Sequence, residues 1–336
     1  MFSSAITGLG MYLPPRVVTN NDLEKLMETS NEWIIQRSGI EERRWVDADT
    51  CTSDLALQAS LEAIKDAGID KSEIDGIVLA TISPDHEFPG VGCFLQTKLG
   101  LSEIPCLDIR QQCTGFVHAM SIADAFIKSG QHKTLLVVGA EIHSKGLDKT
   151  TRGRDVSVLF GDGAGAAIMC RTEVKDPRTD SHIISTRLFA DGNGAKDLWV
   201  AAPGTALGAD RMSKVYIDEN LHFPYMNGKR VFTNAVRRMA ECLTMALAKD
   251  NYTMDDVDLF IFHQANLRIN QMIAQEMKIP EHKVFNTIQK FGNTTAATIP
   301  IGLCEAKKAG KLKKGTLVAT AAFGAGFTWG SALYRY

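Results

Sequence analysis

The 336-residue chain lacks the features that mark several large classes of protein. Its seven cysteines are scattered singly with no Cys-x-x-Cys pair, which argues for reduced thiols and against a disulfide framework or a zinc site. Lys and Arg total 37 and Asp and Glu 39, so there is no net basic field for nucleic acid. The sequence also contains no phosphate-binding loop and no metal-ligand pair. We therefore expect no metal, no other cofactor and no nucleic-acid partner.

Long apolar runs are also missing. No stretch approaches the roughly 20 apolar residues that a membrane helix needs. The first 18 residues carry no basic side chain before Arg16 and lack the layout of a signal peptide. We expect a soluble, cytoplasmic protein without a membrane partner. The 45% hydrophobic content suits one large α/β domain or two closely packed ones.

The chain repeats one order of predicted elements. A strand, a helix, a short apolar segment, another helix and a further strand follow one another from 74 to 139, and again from 257 to 320. Strands that alternate with helices predict βαβ units and mainly parallel sheet. We predict two pseudo-symmetric halves, residues 1–175 and 176–336. A ligand site is expected at their junction.

Cys113 lies where an apolar strand pattern changes to a helical one, in the stretch Q-Q-C-T-G-F. At the N-terminus of a helix, free N–H groups and the helix dipole stabilise a thiolate. This position predicts a lowered pKa and a reactive thiol. The alternative is a small buried apolar residue, which free cysteine often is.

Three further signals are each weak alone. His263 follows an apolar strand pattern, at the strand end where α/β proteins place their chemistry, but it could be a satisfied core histidine. Asn293, in G-N-T, could equally be a turn or cap residue. The glycine-rich stretch 323–327 could direct backbone N–H groups at a ligand or form a plain hairpin.

Two other motifs carry a binding interpretation. The glycines of G-D-G-A-G-A at 161–166 are similar to a dinucleotide-binding fingerprint, but strand-like residues flank them on both sides. We predict a tight turn between strands there. Trp33 and Arg37 lie four residues apart on one helix face, where an indole and a guanidinium could hold a planar base. A solvated helix face is the alternative.

Together the motifs resemble the thiolase-fold condensing enzymes, and most closely the β-ketoacyl-acyl carrier protein synthase III family. The resemblance rests on Q-C-T-G-F, H-Q-A-N at 263–266, G-N-T at 292–294, G-D-G-A-G-A and the closing F-G-A-G-F-T-W-G-S-A-L. These motifs follow in order over essentially the whole chain. The resemblance implies an α/β thiolase-like fold with five α-β-α-β-α layers, and a homodimer.

The resemblance also implies an acyltransferase that performs a decarboxylative Claisen condensation in fatty-acid initiation. Cys113 would take an acyl group from acyl-CoA, with the N–H groups of Cys113 and Ala325 as the oxyanion hole. His263 and Asn293 would donate hydrogen bonds to the thioester carbonyl of malonyl-acyl carrier protein as CO₂ leaves. No metal or redox cofactor is required by this chemistry.

Binding residues beyond this catalytic set are implied as well. The residues expected to contact coenzyme A are Trp33, Arg37, Arg152, Phe232 and Asn266. The basic rim expected to dock acyl carrier protein consists of Arg268, Arg237 and Arg238. Phe88 is expected to enter the acyl pocket of the partner subunit.

Three departures from the family pattern leave the primer open. Gln111 and Gln112 replace small residues, Ala325 stands where glycine is common, and the segment 194–225 is long. The alternative they leave open is a condensing enzyme of a secondary-metabolite pathway that uses a non-acetyl primer. Such a pathway would perform a quinolone-type or a long-chain acyl condensation. Thiolases are disfavoured because they use a second cysteine near the C-terminal glycine-rich loop, and no cysteine follows Cys304 here. Elongating ketosynthases are disfavoured because they use two histidines, and Asn293 takes the place of the second one. A non-catalytic partner subunit is disfavoured because the whole triad is present.

Overall fold

The computed structural model describes residues 2–336, which form two large mixed β-sheets with helices between and outside them, and two small two-stranded sheets. The strands are β1 (Ser3–Tyr12), β2 (Val17–Thr19), β3 (Glu42–Arg44), β4 (Gly76–Ala80), β5 (Cys106–Ile109), β6 (Thr134–Glu141), β7 (Gly163–Thr172), β8 (His182–Ala190), β9 (Leu198–Trp199), β10 (Tyr225–Met226), β11 (Leu259–Phe262), β12 (Leu317–Gly324) and β13 (Thr328–Arg335). The helices are α1 (Asn20–Glu24), α2 (Asn31–Ser38), α3 (Thr52–Ala67), α4 (Val91–Leu99), α5 (Gly115–Lys128), α6 (Arg154–Ser157), α7 (Lys214–Asp218), α8 (Gly228–Lys249), α9 (Leu267–Glu276), α10 (Ile288–Phe291) and α11 (Thr298–Lys308). Among residues 2–336, no helix combines the length and the apolar character that crossing a membrane requires.

The two large sheets have the strand orders β1-β7-β6-β4-β5 and β11-β12-β13-β8, and the two small ones are β2-β3 and β9-β10. The prediction of mainly parallel sheet is wrong. Strand β4 is parallel to β5 and β6, and β11 to β12, but the β1–β7, β6–β7, β12–β13 and β13–β8 pairs are antiparallel. The antiparallel pairs arise because β7 and β13 each start at the end of the sheet where the preceding strand stops.

The predicted repeat is visible in the sheet orders. Strands β4, β6, β7 and β1 hold the same relative places as β11, β12, β13 and β8. The place of β5 is taken in the second sheet by a single parallel bridge between Phe260 and Val284. Cys113 follows β5 and Asn293 follows this bridge, so they occupy equivalent positions. Strands of the first sheet lie within 3–172 and those of the second within 182–335, while the domain boundary near 175 stays a prediction.

The five-layer arrangement is confirmed. Helices α5 and α11 lie between the sheets, where Phe116 and Leu303 belong to one buried cluster. Helices α3 and α4 cover the outer face of the first sheet with residues such as Leu55. Helix α8, with α9 packed beside it, covers the outer face of the second sheet with residues such as Met239. Each large apolar side chain buried in this way stabilises the fold by roughly 1.5–3 kcal/mol.

Helix α2 is bounded by local signals. The Ser30 hydroxyl accepts a hydrogen bond from the Trp33 N–H at 3.1 Å, which caps the first turn. Gly39 ends the helix with φ +77°, and a Cβ there would lie 2.6 Å from Leu267. Glycine is therefore required for α2 to pack this closely against the start of α9.

Candidate active site

Cys113 lies in a 3₁₀ turn, Gln112–Thr114, that runs directly into α5. Its side chain is buried against β12, where a Cβ on Gly324 would come within 2.9 Å of the Cys113 Cβ. Gln112 has φ +46°, a left-handed conformation that costs on the order of 1 kcal/mol or more for a residue with a Cβ. The turn before α5 and the glycine of β12 together fix the position of the sulfur.

The pKa of the Cys113 thiol is raised to about 12, so the prediction of a lowered pKa is wrong. Burial is the main cause, and the nearby Glu141 carboxyl is the second. The N–H groups of Cys113 and Ala325 and the Thr295 side chain act in the opposite direction with smaller effect. The Cys113 thiol is therefore protonated near neutral pH. The prediction from the helix dipole failed because it takes no account of burial.

Glu141, at the end of β6, is fully buried beside the Cys113 site. Its carboxyl group accepts hydrogen bonds from the Ser83 hydroxyl at 2.7 Å and from the Ile82 N–H at 3.2 Å. Burial raises its pKa to about 7 despite these bonds. Sequence reasoning missed this residue, although a glutamate that ends the apolar run T-L-L-V-V-G-A-E was a usable signal.

Asn293 is buried, and hydrogen bonds of its backbone fix its position. Its N–H donates to the Leu159 carbonyl at 2.8 Å, and the Gly161 N–H donates to the Asn293 carbonyl at 3.1 Å. Its side-chain Oδ1 accepts a hydrogen bond from the Thr295 N–H at 2.8 Å. With Oδ1 occupied, the Nδ2 hydrogens are the ones available to a ligand.

His263 follows β11 and is also buried. Its Nδ1 lies 2.7 Å from the Thr298 hydroxyl, while Nε2 has no hydrogen-bond partner within residues 2–336. Burial lowers its pKa to about 3, so the ring is neutral near pH 7. The Thr298 hydroxyl is also 3.0 Å from the Thr295 carbonyl oxygen. Thr295 and Thr298, which sequence reasoning missed, thus connect Cys113, His263 and Asn293.

The G-D-G-A-G-A segment supports the site. The prediction of a turn between two strands is wrong on its N-terminal side, where α6 and a single bridge between Phe160 and Asn293 replace the expected strand. The physical reason is that Phe160 and Gly161 pair with the backbone of Asn293 and with no full strand. On the C-terminal side β7 begins at Gly163, and no long helix follows, in agreement with the rejection of a dinucleotide fingerprint.

Asp162 fixes the loop that follows β6. Its buried carboxylate accepts hydrogen bonds from the N–H groups of Val46, His143 and Ser144 at 2.8, 2.7 and 2.9 Å. Burial raises the pKa of Asp162, and the hydrogen bonds oppose this effect. The loop carries His143, whose Nε2 lies 2.7 Å from the Thr295 hydroxyl. Sequence reasoning did not single out His143.

A cavity of about 470 Å³ opens beside Cys113. The 194–225 segment supplies one wall, through residues that include Trp199 and His222. Its other lining residues include Thr295 and Ala325, whereas His263 and Asn293 are not among them. The long segment noted in the sequence therefore shapes the space next to Cys113.

Most of the predicted coenzyme A residues assemble around α2. The Arg37 guanidinium carbon lies 5.1 Å, and that of Arg154 4.8 Å, from the centre of the Trp33 ring. Asn266 caps α9 and donates from Nδ2 to the Arg37 carbonyl at 2.9 Å. Arg154 was not predicted separately, and its interaction with Trp33 is a cation–π contact.

Arg152 and Phe232 occupy different surroundings. Arg152 is half exposed and paired with the Asp148 carboxylate at 2.7 Å. Phe232 lies in a shallow hollow between α8 and α9, which Arg237 also lines. Phe232 thus does not belong to the group that Trp33, Arg37 and Asn266 form around α2.

The three arginines of the predicted docking rim differ in their contacts. Arg268 is exposed in the first turn of α9. Arg237 is exposed on α8, with its Nε 3.9 Å from the Glu241 carboxylate. Arg238 stacks over the Trp329 ring at 4.6 Å and pairs with Glu241 at 2.9 Å, so its charge is already engaged. Arg268 is the least engaged of the three.

Phe88 is the most exposed large apolar side chain of the described residues, at 80%. It lies in the loop between β4 and α4. The Phe88 ring is therefore accessible to another molecule.

Comparisons with known proteins agree on one family. Residues 107–195 match the family described as 3-oxoacyl-acyl-carrier-protein (ACP) synthase III, and residues 247–336 match its C-terminal family. The β-ketoacyl-acyl-carrier-protein synthases III of Geobacillus kaustophilus and Ehrlichia canis are 44% and 43% identical to this chain. These alignments cover 99% of both chains for the first and 100% of both chains for the second.

Solved structures give the same result. The crystal structure of 3-oxoacyl-acyl-carrier-protein synthase III from Aquifex aeolicus aligns with a TM-score of 0.89 and 41% identity, over 99% of this chain and 100% of that one. A priming β-ketosynthase of a polyketide biosynthetic pathway aligns with a TM-score of 0.88 and 31% identity, over 99% of this chain and 96% of that one. The chain belongs to the β-ketoacyl-acyl carrier protein synthase III family, whose members are acyltransferases with the thiolase fold.

Proposed function

We propose that this enzyme loads an acyl group from acyl-CoA onto Cys113 and condenses it with malonyl-acyl carrier protein, releasing CO₂ and a β-ketoacyl product. The observation that carries the proposal is the network around Thr295 and Thr298. Through it the nucleophilic thiol, the unpaired Nε2 of His263 and the free amide hydrogens of Asn293 belong to one buried site.

In the first step Cys113 attacks the acyl-CoA carbonyl and CoA leaves as a thiol. The developing negative charge on the carbonyl oxygen is stabilised by the N–H groups of Cys113 and Ala325. Both act on the buried Cys113 sulfur in the resting enzyme. Donors held by backbone in a site without bulk water are effective because they need no reorganisation during the reaction.

In the second step His263 and Asn293 donate hydrogen bonds to the malonyl thioester carbonyl. The carboxylate leaves as CO₂ and the resulting enolate carbon attacks the acyl-Cys113 thioester. The carbon–sulfur bond breaks, and the Cys113 thiolate leaves and takes up a proton. A neutral donor fits this role, because the pKa of His263 is lowered to about 3 and its ring carries no charge near neutral pH. The carbonyl oxygen of the enolate therefore receives hydrogen bonds without an added proton.

The proposed partners would bind residues on the surface around the site. Coenzyme A would contact the surface formed by Trp33, Arg37 and Asn266, and Arg268 would meet acidic acyl carrier protein. The exposure of Phe88 supports a homodimer in which this ring enters the acyl pocket of the second copy. Reduced thiols such as Cys113 persist in the cytoplasm, which is the proposed compartment.

The test separates the two half-reactions. Acyl transfer is followed by the mass of the intact protein, and decarboxylation by CO₂ release from malonyl-acyl carrier protein. We expect His263→Ala and Asn293→Ala to retain acyl transfer and to lose decarboxylation by about 10²–10³-fold, the usual cost of removing one such donor. Decarboxylation at the wild-type rate in both variants would refute the assigned roles.

A further inference from the structure

Arg43 is a fully buried arginine in the middle of β3. Its Nη1 donates hydrogen bonds to the Asn20 Oδ1 at 2.8 Å and to the Val18 carbonyl at 3.3 Å, and its Nη2 donates to the Val158 carbonyl at 2.8 Å. All three acceptors are neutral, and among residues 2–336 no carboxylate pairs with this guanidinium. Burial lowers the pKa of Arg43 to about 10, so the side chain is still charged near neutral pH.

Packing alone does not account for this buried charge. Moving a cation out of water costs free energy, and the Arg43 Nε has no hydrogen-bond partner within the described residues. An apolar side chain of similar volume would fill the same space without this cost. What distinguishes Arg43 from such a side chain is the set of backbone groups that its guanidinium binds.

These backbone groups adjoin Asn293. The Arg43 Nη2 fixes the Val158 carbonyl, and the carbonyl of the next residue, Leu159, accepts a hydrogen bond from the Asn293 N–H at 2.8 Å. The Gly161 N–H in turn donates to the Asn293 carbonyl at 3.1 Å. The N–H and the carbonyl of Asn293 are thus both bonded to the segment that Arg43 holds.

The stem of the Arg43 side chain contacts the same region. A Cβ on Gly161 would lie 3.0 Å from the Arg43 Cβ, and a Cβ on Gly292 would lie 3.4 Å from it. Gly292 directly precedes Asn293 and has φ +63°, a conformation that favours glycine. Arg43 therefore packs against the residue before Asn293 and against the residue that pairs with its carbonyl.

We propose that Arg43 is a positioning residue for Asn293 in the decarboxylation step. By holding the segment 158–161 and packing against Gly292, it fixes the backbone of Asn293, and with it the Nδ2 group that donates to the malonyl thioester carbonyl. Arg43 acts through Asn293 and needs no contact with the substrate. A displacement of about 1 Å at such a group can cost about 10²-fold in rate. The inference rests on the proposed role of Asn293.

The first measurement needs no substrate. Hydrogen–deuterium exchange of the whole protein, followed by the masses of its peptides, reports how firmly the Asn293 and Gly161 N–H groups are bonded. Arg43→Met keeps an apolar stem but has no donor. In this variant we expect the peptides that contain these two groups to exchange about tenfold faster than in the wild type, with no change in peptides from α8 on the outer face of the second sheet.

The second measurement follows the two half-reactions. We expect Arg43→Met to lower the rate of CO₂ release from a small malonyl thioester by about 10–10²-fold and to leave acyl transfer to Cys113 within about twofold of the wild type. In a double-mutant cycle, Arg43→Met should have no further effect on CO₂ release in Asn293→Ala, because both changes remove the same hydrogen bond to the substrate. A general structural defect would instead lower both half-reactions and add to the effect of Asn293→Ala.

Two further variants complete the design. Arg43→Lys keeps the charge and the stem, but one ammonium cannot bond to Asn20 and Val158 in the way that the forked guanidinium does. Its exchange and its CO₂ release should lie between those of the wild type and Arg43→Met, and it carries the test if Arg43→Met does not fold. Arg44→Met is the matched control, because it removes the neighbouring guanidinium, which is 22% exposed and paired with Glu42. It should change neither measurement.

Two results would overturn the inference. One is exchange at Asn293 that stays at the wild-type rate in both Arg43 variants. The other is an effect of Arg43→Met on CO₂ release that is as large in Asn293→Ala as in the wild type. Exchange needs no activity, so a faster exchange in Arg43→Met together with a wild-type protein that releases no CO₂ would refute the proposed function and leave the link between Arg43 and Asn293 standing.

Discussion

The Thr298 hydroxyl oxygen lies 2.7 Å from Nδ1 of His263 and 3.0 Å from the carbonyl oxygen of Thr295. A hydroxyl has one hydrogen and can donate it to only one of these acceptors. When it donates to Nδ1, the neutral ring carries its proton on Nε2 and can donate to a substrate carbonyl. The donor role of His263 therefore requires Thr298 to donate to Nδ1.

The first prediction concerns this hydroxyl. Thr298→Val keeps the shape of the side chain but removes the donor, so His263 no longer has its proton directed to Nε2. We expect malonyl decarboxylation to fall by about tenfold or more, toward the loss caused by removing the donor itself. Acyl transfer to Cys113 should change little. Thr298→Ser is the control, and a Thr298→Val enzyme with unchanged decarboxylation would show that the hydroxyl does not set the tautomer.

A second prediction concerns stability and the Glu141 carboxyl. Its pKa in the folded protein is raised to about 7 from an ordinary value of 4.5. Folding therefore favours the protonated form, and the associated stability is present below the ordinary value and lost as the pH rises toward 7. Relative to Glu141→Gln, the wild type should lose free energy of unfolding, by roughly 3 kcal/mol at most, between about pH 4.5 and about pH 8.

Denaturant unfolding of both proteins across this range checks the Glu141 prediction. Other carboxyl groups titrate equally in the two proteins, so only the difference between their free energies of unfolding is diagnostic. A difference that is flat with pH would mean that the buried carboxyl does not titrate in this window.

Docking of the carrier protein provides a third prediction. Arg268→Glu should raise KM for malonyl-acyl carrier protein more than for a small malonyl thioester, and the effect should be larger at low salt. Lys314→Glu, which reverses an exposed charge before β12 and at the opposite end of that strand from Ala325, is the matched control. Equal changes in KM for both substrates would argue against docking at Arg268.

The sequence predicted the repeat because it depends on local patterns of apolar residues, and it predicted the layers of the fold through the resemblance to a known family. The catalytic triad stays a prediction, which rests on where its members fall relative to such patterns. Cys113 and His263 each follow an apolar strand, and Asn293 precedes α11. The direction of the strands was not predictable in the same way. Whether β7 returns beside β6 depends on where the connecting loop ends, and the pattern of apolar residues does not contain that information.

Contacts between residues far apart in the chain could not be predicted from the sequence either. The His143–Thr295 hydrogen bond joins residues 152 positions apart in the chain. The raised pKa of Cys113 likewise results from burial and from Glu141, neither of which is visible in the residues around position 113. Local sequence indicates Cys113 as the candidate nucleophile, whereas the protonation state of its thiol is set by the tertiary structure.

The primer is the subject of a fourth prediction. The cavity of about 470 Å³ beside Cys113 is far larger than an acetyl group, and the 194–225 segment forms one of its walls. An apolar pocket gains or loses about 1–3 kcal/mol for each methylene, so we expect a graded optimum across acyl-CoA chain lengths. A medium, longer or aromatic acyl-CoA should exceed acetyl-CoA in kcat/KM. A tenfold advantage for acetyl-CoA would instead indicate an acetyl-primed enzyme.

The most direct measurement of the central claim is the mass of the intact protein after incubation with a panel of acyl-CoAs. The account predicts one added acyl group for each chain, mapped to Cys113 and absent in Cys113→Ala. Cys113→Ser should be acylated far more slowly, because an alkoxide is much harder to form than a thiolate. An acyl group that persists in Cys113→Ala, or that maps to another of the seven cysteines, would contradict the account.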